Sequence, residues 1–101
     1  MALSKKNWTL NSYTNDTWTD LVDEEAIIST IIVNNTSASS IVLQMRLEDS
    51  ASGLADIQTN RSLTGEESYV LDVRSLAITG TQALQIQADA SGLEFLVSGV
   101  V

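Results

Sequence analysis

The chain has 101 residues, 44% of them apolar, which is enough for one globular domain with a single core. It contains no Cys, His or Pro, so a disulfide or thiolate metal site is excluded and the commonest general base is missing. Thirteen acidic residues against five basic ones give a net charge of −8, which disfavours nucleic-acid and membrane partners, and no cofactor is expected.

Eight β-strands are predicted from alternating or continuous apolar runs that polar turn residues separate. In chain order they cover residues 5–10, 17–22, 26–34, 41–48, part of 54–63, 68–74, 83–89 and 93–98. The third is β-branched and apolar on both faces, so it is expected at the centre of a sheet with both faces covered. The region 54–63 has the weakest pattern, and only Leu54, Asp56 and Gln58 indicate a short edge strand there.

Short strands spaced about ten residues apart predict an all-β fold, an antiparallel β-sandwich of jelly-roll or immunoglobulin-like type. Both types show this spacing, so the strand order stays open. One domain is expected over residues 1–101, with residues 1–6 as a candidate N-terminal arm. The core is predicted from the inward-facing strand positions: Ile27, Ile31, Val33, Leu43, Met45, Leu47, Tyr69, Leu71, Val73, Leu84, Ile86, Phe95 and Val97.

The densest charge cluster is an acidic stretch formed by Asp20, Asp23, Glu24 and Glu25. Neighbouring carboxylates can bind calcium, but this stretch lacks the alternating ligands and the turn glycine of a calcium loop. A solvated loop is the favoured interpretation, and contact with basic residues of a partner subunit is the alternative. Because no His or Cys is present to activate a nucleophile, no catalytic or metal-binding residue is predicted and an enzyme is not expected.

Three aromatic residues, Trp8, Tyr13 and Trp18, lie within the first eighteen positions. Carbohydrate-binding modules present aromatic faces to sugar rings, which makes glycan or receptor binding one interpretation of this cluster. However, the two tryptophans belong to successive predicted strands, where aromatic pairs commonly stabilise a sheet. Packing or subunit contact is therefore the favoured role.

The chain places an apolar strand and an Asn-Thr-Ser loop (27–37) before a Gly-Glu turn and strand (65–72). A Thr-Gly-Thr turn with its strand (78–88) and a strand ending in Ser-Gly (95–100) follow. This succession resembles a class of small structural proteins of tailed bacteriophages. The resemblance implies a non-enzymatic β-sandwich in the virion, made in the host cytoplasm, as a capsid decoration protein or as a neck, tail or baseplate component.

The resemblance also implies a homo-oligomer, with a trimer favoured, that contacts other virion proteins such as the major capsid protein. Apolar residues on second strand faces or at the end of the chain are candidates for an interface patch: Val42, Val70, Leu96, Val100 and Val101. The arm, the acidic stretch and the tryptophans supply the predicted assembly contacts: Leu3, Lys5, Lys6, Trp8, Trp18, Asp20, Asp23, Glu24 and Glu25.

Overall fold

The computed structural model describes residues 4–50 and 53–101, which form eight β-strands and no helix. The strands are β1 Lys5–Leu10, β2 Thr19–Val22, β3 Ala26–Asn35, β4 Ile41–Asp49, β5 Gly53–Leu63, β6 Ser68–Ile78, β7 Gln82–Ala88 and β8 Leu93–Val100. Within these two ranges there is accordingly no helix that could cross a membrane.

The strands form two four-stranded antiparallel sheets. Sheet 1 has the order β1-β8-β3-β6 and sheet 2 the order β2-β7-β4-β5. Only β4 and β5 follow one another within a sheet, and every other connection crosses to the opposite sheet. This order is that of a jelly roll and not that of an immunoglobulin domain. The predicted β-sandwich is confirmed, and the strand order decides between its two types.

The core lies between the sheets and contains most of the positions that alternation predicts. Predicted residues that are buried are Ile31, Val33, Leu43, Met45, Leu84, Ile86, Phe95 and Val97. Predicted residues that pack against the core while partly exposed are Leu47, Tyr69, Leu71 and Val73. Large core residues that the prediction omits include Leu21, Val22, Ile28, Leu63, Ile78 and Leu93.

Ile27 is the one predicted core residue that faces away from the core, with 42% of its surface exposed. The pairing of β3 with β8 shifts register between Ile28 and Thr30, so Ser29 is an extra, bulged residue relative to β8. On the other side Ser29 faces three residues of β6, 73–75. Since side chains alternate along a strand, one extra residue exchanges the inward and outward positions. The alternation inferred from Ile31 is therefore wrong for Ile27.

The central position predicted for β3 is correct, but the expectation that both its faces are covered is wrong. Its neighbours are β8 on one side and β6 on the other, and its inner face packs against sheet 2. The outer face carries Ile27 and Ile32, and no other described strand lies over it. The outward-facing half of the apolar run in β3 therefore forms part of an apolar surface of the domain.

Several strand boundaries differ from the prediction, most of them by one or two residues. Strand β5 is an edge strand, as predicted, but it has eleven residues and is not short, because the exposed edge of a sheet tolerates the polar residues that weaken its pattern. Strand β6 continues through the predicted gap at Ser75 to Ile78. Its irregularity lies at Arg74, which has a φ of 59°. Strand β2 begins at Thr19, two residues later than expected.

Candidate assembly surfaces

The outer face of sheet 1 carries two apolar rows that run across the strands. The upper apolar row joins Leu96, Ile32 and Val70, with Thr9 at its β1 end. The lower apolar row joins Val100, Ile27 and Ala77, with Lys5 at its β1 end. Between them lies a polar row formed by Asn7, Ser98, Thr30 and Asp72.

These rows leave large apolar side chains in contact with solvent. Val70 is 59% exposed and Ile27 is 42% exposed. A single exposed apolar residue is ordinary on a protein surface, whereas neighbours in register across a sheet form a patch. Of the predicted patch residues, Val70, Leu96 and Val100 share this face, while Val42 lies on β4 in sheet 2.

A groove of about 580 Å³ lies next to the lower apolar row. Small residues at the bulge and beside it keep its floor low: Ser29, Ser98 and Gly99. Gly99 is required there, because a Cβ atom at this position would lie 2.3 Å from the carbonyl oxygen of Ile27. The long cationic side chains of Lys5 on β1 and Arg74 on β6 line the groove from the two edge strands.

The two cations beside the groove have no acidic partner within residues 4–50 and 53–101. Neither the ammonium of Lys5 nor the guanidinium of Arg74 forms an ion pair or a side-chain hydrogen bond there. These are two of only five basic residues in a chain with thirteen acidic ones. The groove is therefore a locally basic site on an acidic protein.

The predicted acidic stretch does not act as one cluster. Asp20 accepts a hydrogen bond from Nε2 of Gln85 (2.8 Å) in sheet 2. Glu24 accepts hydrogen bonds from Nζ of Lys6 and from Nε1 of Trp8 (3.0 Å) at the β1 edge. These two bonds, that from Lys6 first, lower the pKa of Glu24. In the described ranges no three acidic groups come close enough to hold a metal ion.

The remaining acids of the stretch lie in the turn between β2 and β3. Asp23 and Glu25 are exposed, and neither has a hydrogen bond or ion pair with another described residue. Glu25 lies at the lower end of sheet 1, beside Ile27, Val100 and Val101. An unpaired carboxylate and the unpaired cations of the groove therefore flank the same apolar row.

Both tryptophans have a cation over one face of the ring. The guanidinium carbon of Arg46 lies 4.0 Å from the ring centroid of Trp18, and Nζ of Lys6 lies 5.4 Å from that of Trp8. The Arg46 side chain is also held by Oε1 of Gln85 (2.8 Å). A covered ring face is unavailable for stacking on a sugar. This arrangement favours a packing role for the tryptophans over a carbohydrate site.

Tyr13, the third aromatic residue of the predicted cluster, has a structural position. Its hydroxyl donates to the carbonyl of Ala90 (2.7 Å) and accepts from the amide of Leu93 (3.1 Å). Its ring meets Phe95 edge to face, with the ring centroids 6.2 Å apart. The hydroxyl therefore ties the turn before β8 to the segment between β1 and β2.

The predicted assembly residues do not form one surface. Asp23 and Glu25 lie in the turn between β2 and β3, and Lys5 lines the groove. Lys6, Trp8 and Glu24 meet at the β1 edge of sheet 1, whereas Trp18 and Asp20 contact Arg46 and Gln85 of sheet 2. Leu3 lies outside the described residues. The prediction omitted Ile27 and Arg74, which the register of sheet 1 brings to the groove. The sequence indicates only weakly that these two residues lie on the outer face, because irregularities in strand pairing determine where each side chain lies.

No family model and no curated protein matches this sequence. The fold is similar to part of a chain from the T13 viral particle of IBDV, with a TM-score of 0.53 and 12% identity over 98% of this chain and 31% of that one. It is also similar to a chain of the infectious bursal disease virus Gx strain, with a TM-score of 0.52 and 10% identity over 96% of this chain and 32% of that one.

The chain spans about a third of the length of these virus chains. At 10–12% identity the likeness establishes a shared fold and nothing further. PirA aligns over 96% of this chain and 93% of its own with 14% identity, but its TM-score of 0.49 is too low to carry an argument.

Proposed function

We propose that this chain is a non-enzymatic structural protein of a virus particle and acts through contacts between subunits. The observation that carries the proposal is the outer face of sheet 1, where two apolar rows and an unpaired basic groove lie open. A face of this kind favours association over catalysis. The similarity of this fold to part of the chains of a viral particle supports the proposal at the level of fold.

The specific role that we propose is decoration of a tailed-bacteriophage capsid, as the sequence resemblance implies. In this role the chain binds across neighbouring subunits of the major capsid protein and so stabilises the assembled shell by mass action. The protein is made in the host cytoplasm and functions in the virion. A homo-oligomer, with a trimer favoured from the resemblance, is the form proposed to bind.

The alternative role is that of a neck, tail or baseplate component, which would use the same surfaces at a different position in the particle. A glycan- or receptor-binding module is less well supported, because Arg46 and Lys6 each cover one face of a tryptophan ring. Neither alternative requires a catalytic group.

The copy number per particle tests the proposal and separates the two roles. Quantitative mass spectrometry of purified particles should give on the order of hundreds of copies for a protein that decorates the whole shell. A symmetric neck, tail or baseplate would give about six or twelve copies. Absence of the chain from purified particles would overturn the structural role altogether.

A further inference from the structure

We infer that β1 is an exchangeable strand, which leaves β8 of its own copy and pairs in the same register with β8 of a second copy of this chain. The segment that moves is Lys5–Leu10, and the hinge is formed by residues 11–12. The inference rests on the proposed function for its setting in a particle and deepens it by naming the contact that joins one copy to the next.

Strand β1 contributes little to the core. Among the eight strands of the described residues, it alone has no buried residue. Only Trp8 and Leu10 of this strand pack against the core, and both are partly exposed. The strand pairs with a single neighbour, β8, at the edge of sheet 1. Because little apolar surface is exposed when β1 leaves, its opening should require less free energy than unfolding of the whole domain.

A hinge lies directly after β1. Residues 11–12 are exposed and belong to no strand. Tyr13, the next residue, is held to the body of the domain, because its hydroxyl donates to the carbonyl of Ala90 and accepts from the amide of Leu93. Rotation about the backbone of residues 11–12 therefore moves β1 away from β8 while the core stays in place.

A polar clamp, formed by Lys6 and Trp8 on β1 and by Glu24 in the turn between β2 and β3, holds the strand on its own copy. Glu24 accepts hydrogen bonds from Nζ of Lys6 and from Nε1 of Trp8 (3.0 Å). Lys6 and Trp8 are two residues apart, so both lie on the same face of β1. Glu24 belongs to the body of the domain and stays there when β1 leaves. A strand that enters must therefore bring an ammonium and an indole N–H at this spacing.

The vacated edge of β8 favours β1 of a second copy as its occupant. The structure shows β1 in this position with a continuous register, from Lys5 opposite Val100 to Leu10 opposite Phe95. An identical strand from another copy forms the same pairs and the same clamp, so exchange conserves every contact. No other strand of the described residues contains a tryptophan. Exchange of an identical element is a low-cost route to a symmetric oligomer.

The exchanged form should be favoured where copies are concentrated. The short hinge keeps β1 near its own β8 at an effective concentration on the order of mM, so the monomer should dominate in dilute solution. Copies that are brought together on the surface of a particle reach comparable local concentrations, and a strand from a neighbour then competes with the copy's own strand. Exchange is therefore measured in concentrated protein.

Disulfide trapping between single-cysteine variants of the full chain tests the inference, since the wild type has no cysteine. Asn7 on β1 and Ser98 on β8 lie directly opposite each other, at a separation that a disulfide spans. Asn7→Cys and Ser98→Cys are mixed at about 1 mM each, incubated under reducing conditions and then oxidised. The two cysteines are on different molecules, so a disulfide beyond the level of random collision requires β1 of one copy to lie on β8 of the other.

Thr30→Cys is the matched control, because Thr30 lies beside Ser98 on the same face, one strand further from β1. After exchange, residue 7 would be about 10 Å from residue 30, which is too far for a disulfide. Asn7→Cys with Ser98→Cys should give at least about tenfold more heterodimer than Asn7→Cys with Thr30→Cys, because exchange holds only the first pair together. Adding Glu24→Gln to both chains weakens the clamp and should raise the initial rate of heterodimer formation roughly threefold.

Equal heterodimer yields from the two mixtures would overturn the inference. Hydrogen exchange of the wild type gives a second test that needs no variant. If the amides of β1 are protected as strongly as those of β3, β1 opens only together with the whole domain and the inference fails. Circular dichroism and thermal unfolding establish that each variant is folded. The copy-number test of the proposed function does not depend on β1, so the two can fail separately.

Discussion

The side-chain amide of Asn35 donates a hydrogen bond to the carbonyl of Leu63, 3.1 Å away, and so joins the end of β3 in sheet 1 to the end of β5 in sheet 2. The same amide also reaches the carbonyls of Ser39 (2.8 Å) and Thr64 (3.1 Å). Its oxygen accepts from the amide and hydroxyl of Ser37. At 2% exposure, Asn35 is a buried polar residue whose donors and acceptor are all used.

Asn35→Asp should destabilise the domain by about 3 kcal/mol at neutral pH, because a buried carboxylate would face three carbonyl oxygens in place of a donor. The change is nearly isosteric, so packing alone would predict little effect. Urea unfolding followed by circular dichroism measures the difference. Asn34→Asp is the matched control, since Asn34 lies on the outer face of sheet 1. Equal losses for the two variants would contradict the role assigned to Asn35.

Tyr13→Phe should lower the free energy of unfolding by about 1–2 kcal/mol, because the carbonyl of Ala90 and the amide of Leu93 lose their shared partner. The edge-to-face contact with Phe95 is kept, so the loss reports the hydroxyl. Tyr69→Phe, which removes only the hydroxyl's bond to Gln58 at the sheet edge, should cost less. A larger loss for Tyr69→Phe would contradict this ranking.

The Tyr13 hydroxyl also predicts a loss of stability in alkali. Burial raises the pKa of Tyr13 above its ordinary value of about 10. The unfolded chain therefore releases the proton at a lower pH than the folded one. The contribution of the protonated hydroxyl is fully present below about pH 10 and is lost as the pH rises through the raised value. Tyr13→Phe should show a smaller decline in unfolding free energy between pH 9 and pH 11 than the wild type.

The Lys6–Glu24 pair predicts an acid-dependent contribution at the β1 edge. Hydrogen bonds from Lys6 and Trp8 lower the pKa of Glu24 below its unfolded value of about 4.3. The contribution to stability is therefore present above that pH and is lost as the pH falls through the folded value. The difference in unfolding free energy between wild type and Glu24→Gln should shrink as the pH is lowered from 6 to 3.

Glu94→Gln provides the charge-matched control for this titration, because Glu94 is exposed on β8 and has no ion pair with another described residue. Its unfolding free energy is measured over the same pH range, and its profile is subtracted from that of Glu24→Gln. If the two profiles coincide, the carboxylate of Glu24 contributes no pH-dependent stability at the β1 edge.

Local patterns in the sequence were sufficient to predict the β-sandwich, but not the face on which every residue lies or the order of the strands. Strict alternation in β4, β7 and β8 identified Leu43, Ile86 and Val97 as core residues because regular strands follow period two. Ile27 was assigned to the core because the bulge at Ser29 leaves no mark in the apolar pattern. Strand order was open because it depends on pairings between distant segments, such as β1 with β8.

The candidate surface was harder to predict than the fold for the same reason. Val70, Leu96 and Val100 were recognised as outward-facing residues, but their arrangement in rows follows from the register of four strands. Arg74 enters the groove through an irregular segment of β6 with a positive φ, at a point where the sequence suggested the end of the strand. Charge pairing likewise depends on the folded structure, since Glu24 is paired and Glu25, its neighbour in sequence, forms no ion pair with a described residue.

Val70→Glu should separate folding from assembly on the outer face of sheet 1. Val70 is 59% exposed, so its replacement should change the free energy of unfolding by no more than about 0.5 kcal/mol. If the upper apolar row is buried against the shell, a carboxylate there loses its hydration on binding, and incorporation into particles should fall at least about tenfold. Ser68→Glu makes the same charge change two residues away on the same face, beyond the row, and should be incorporated nearly as well as the wild type. Equal incorporation of both variants and the wild type would mean that this row is not the surface that meets the shell.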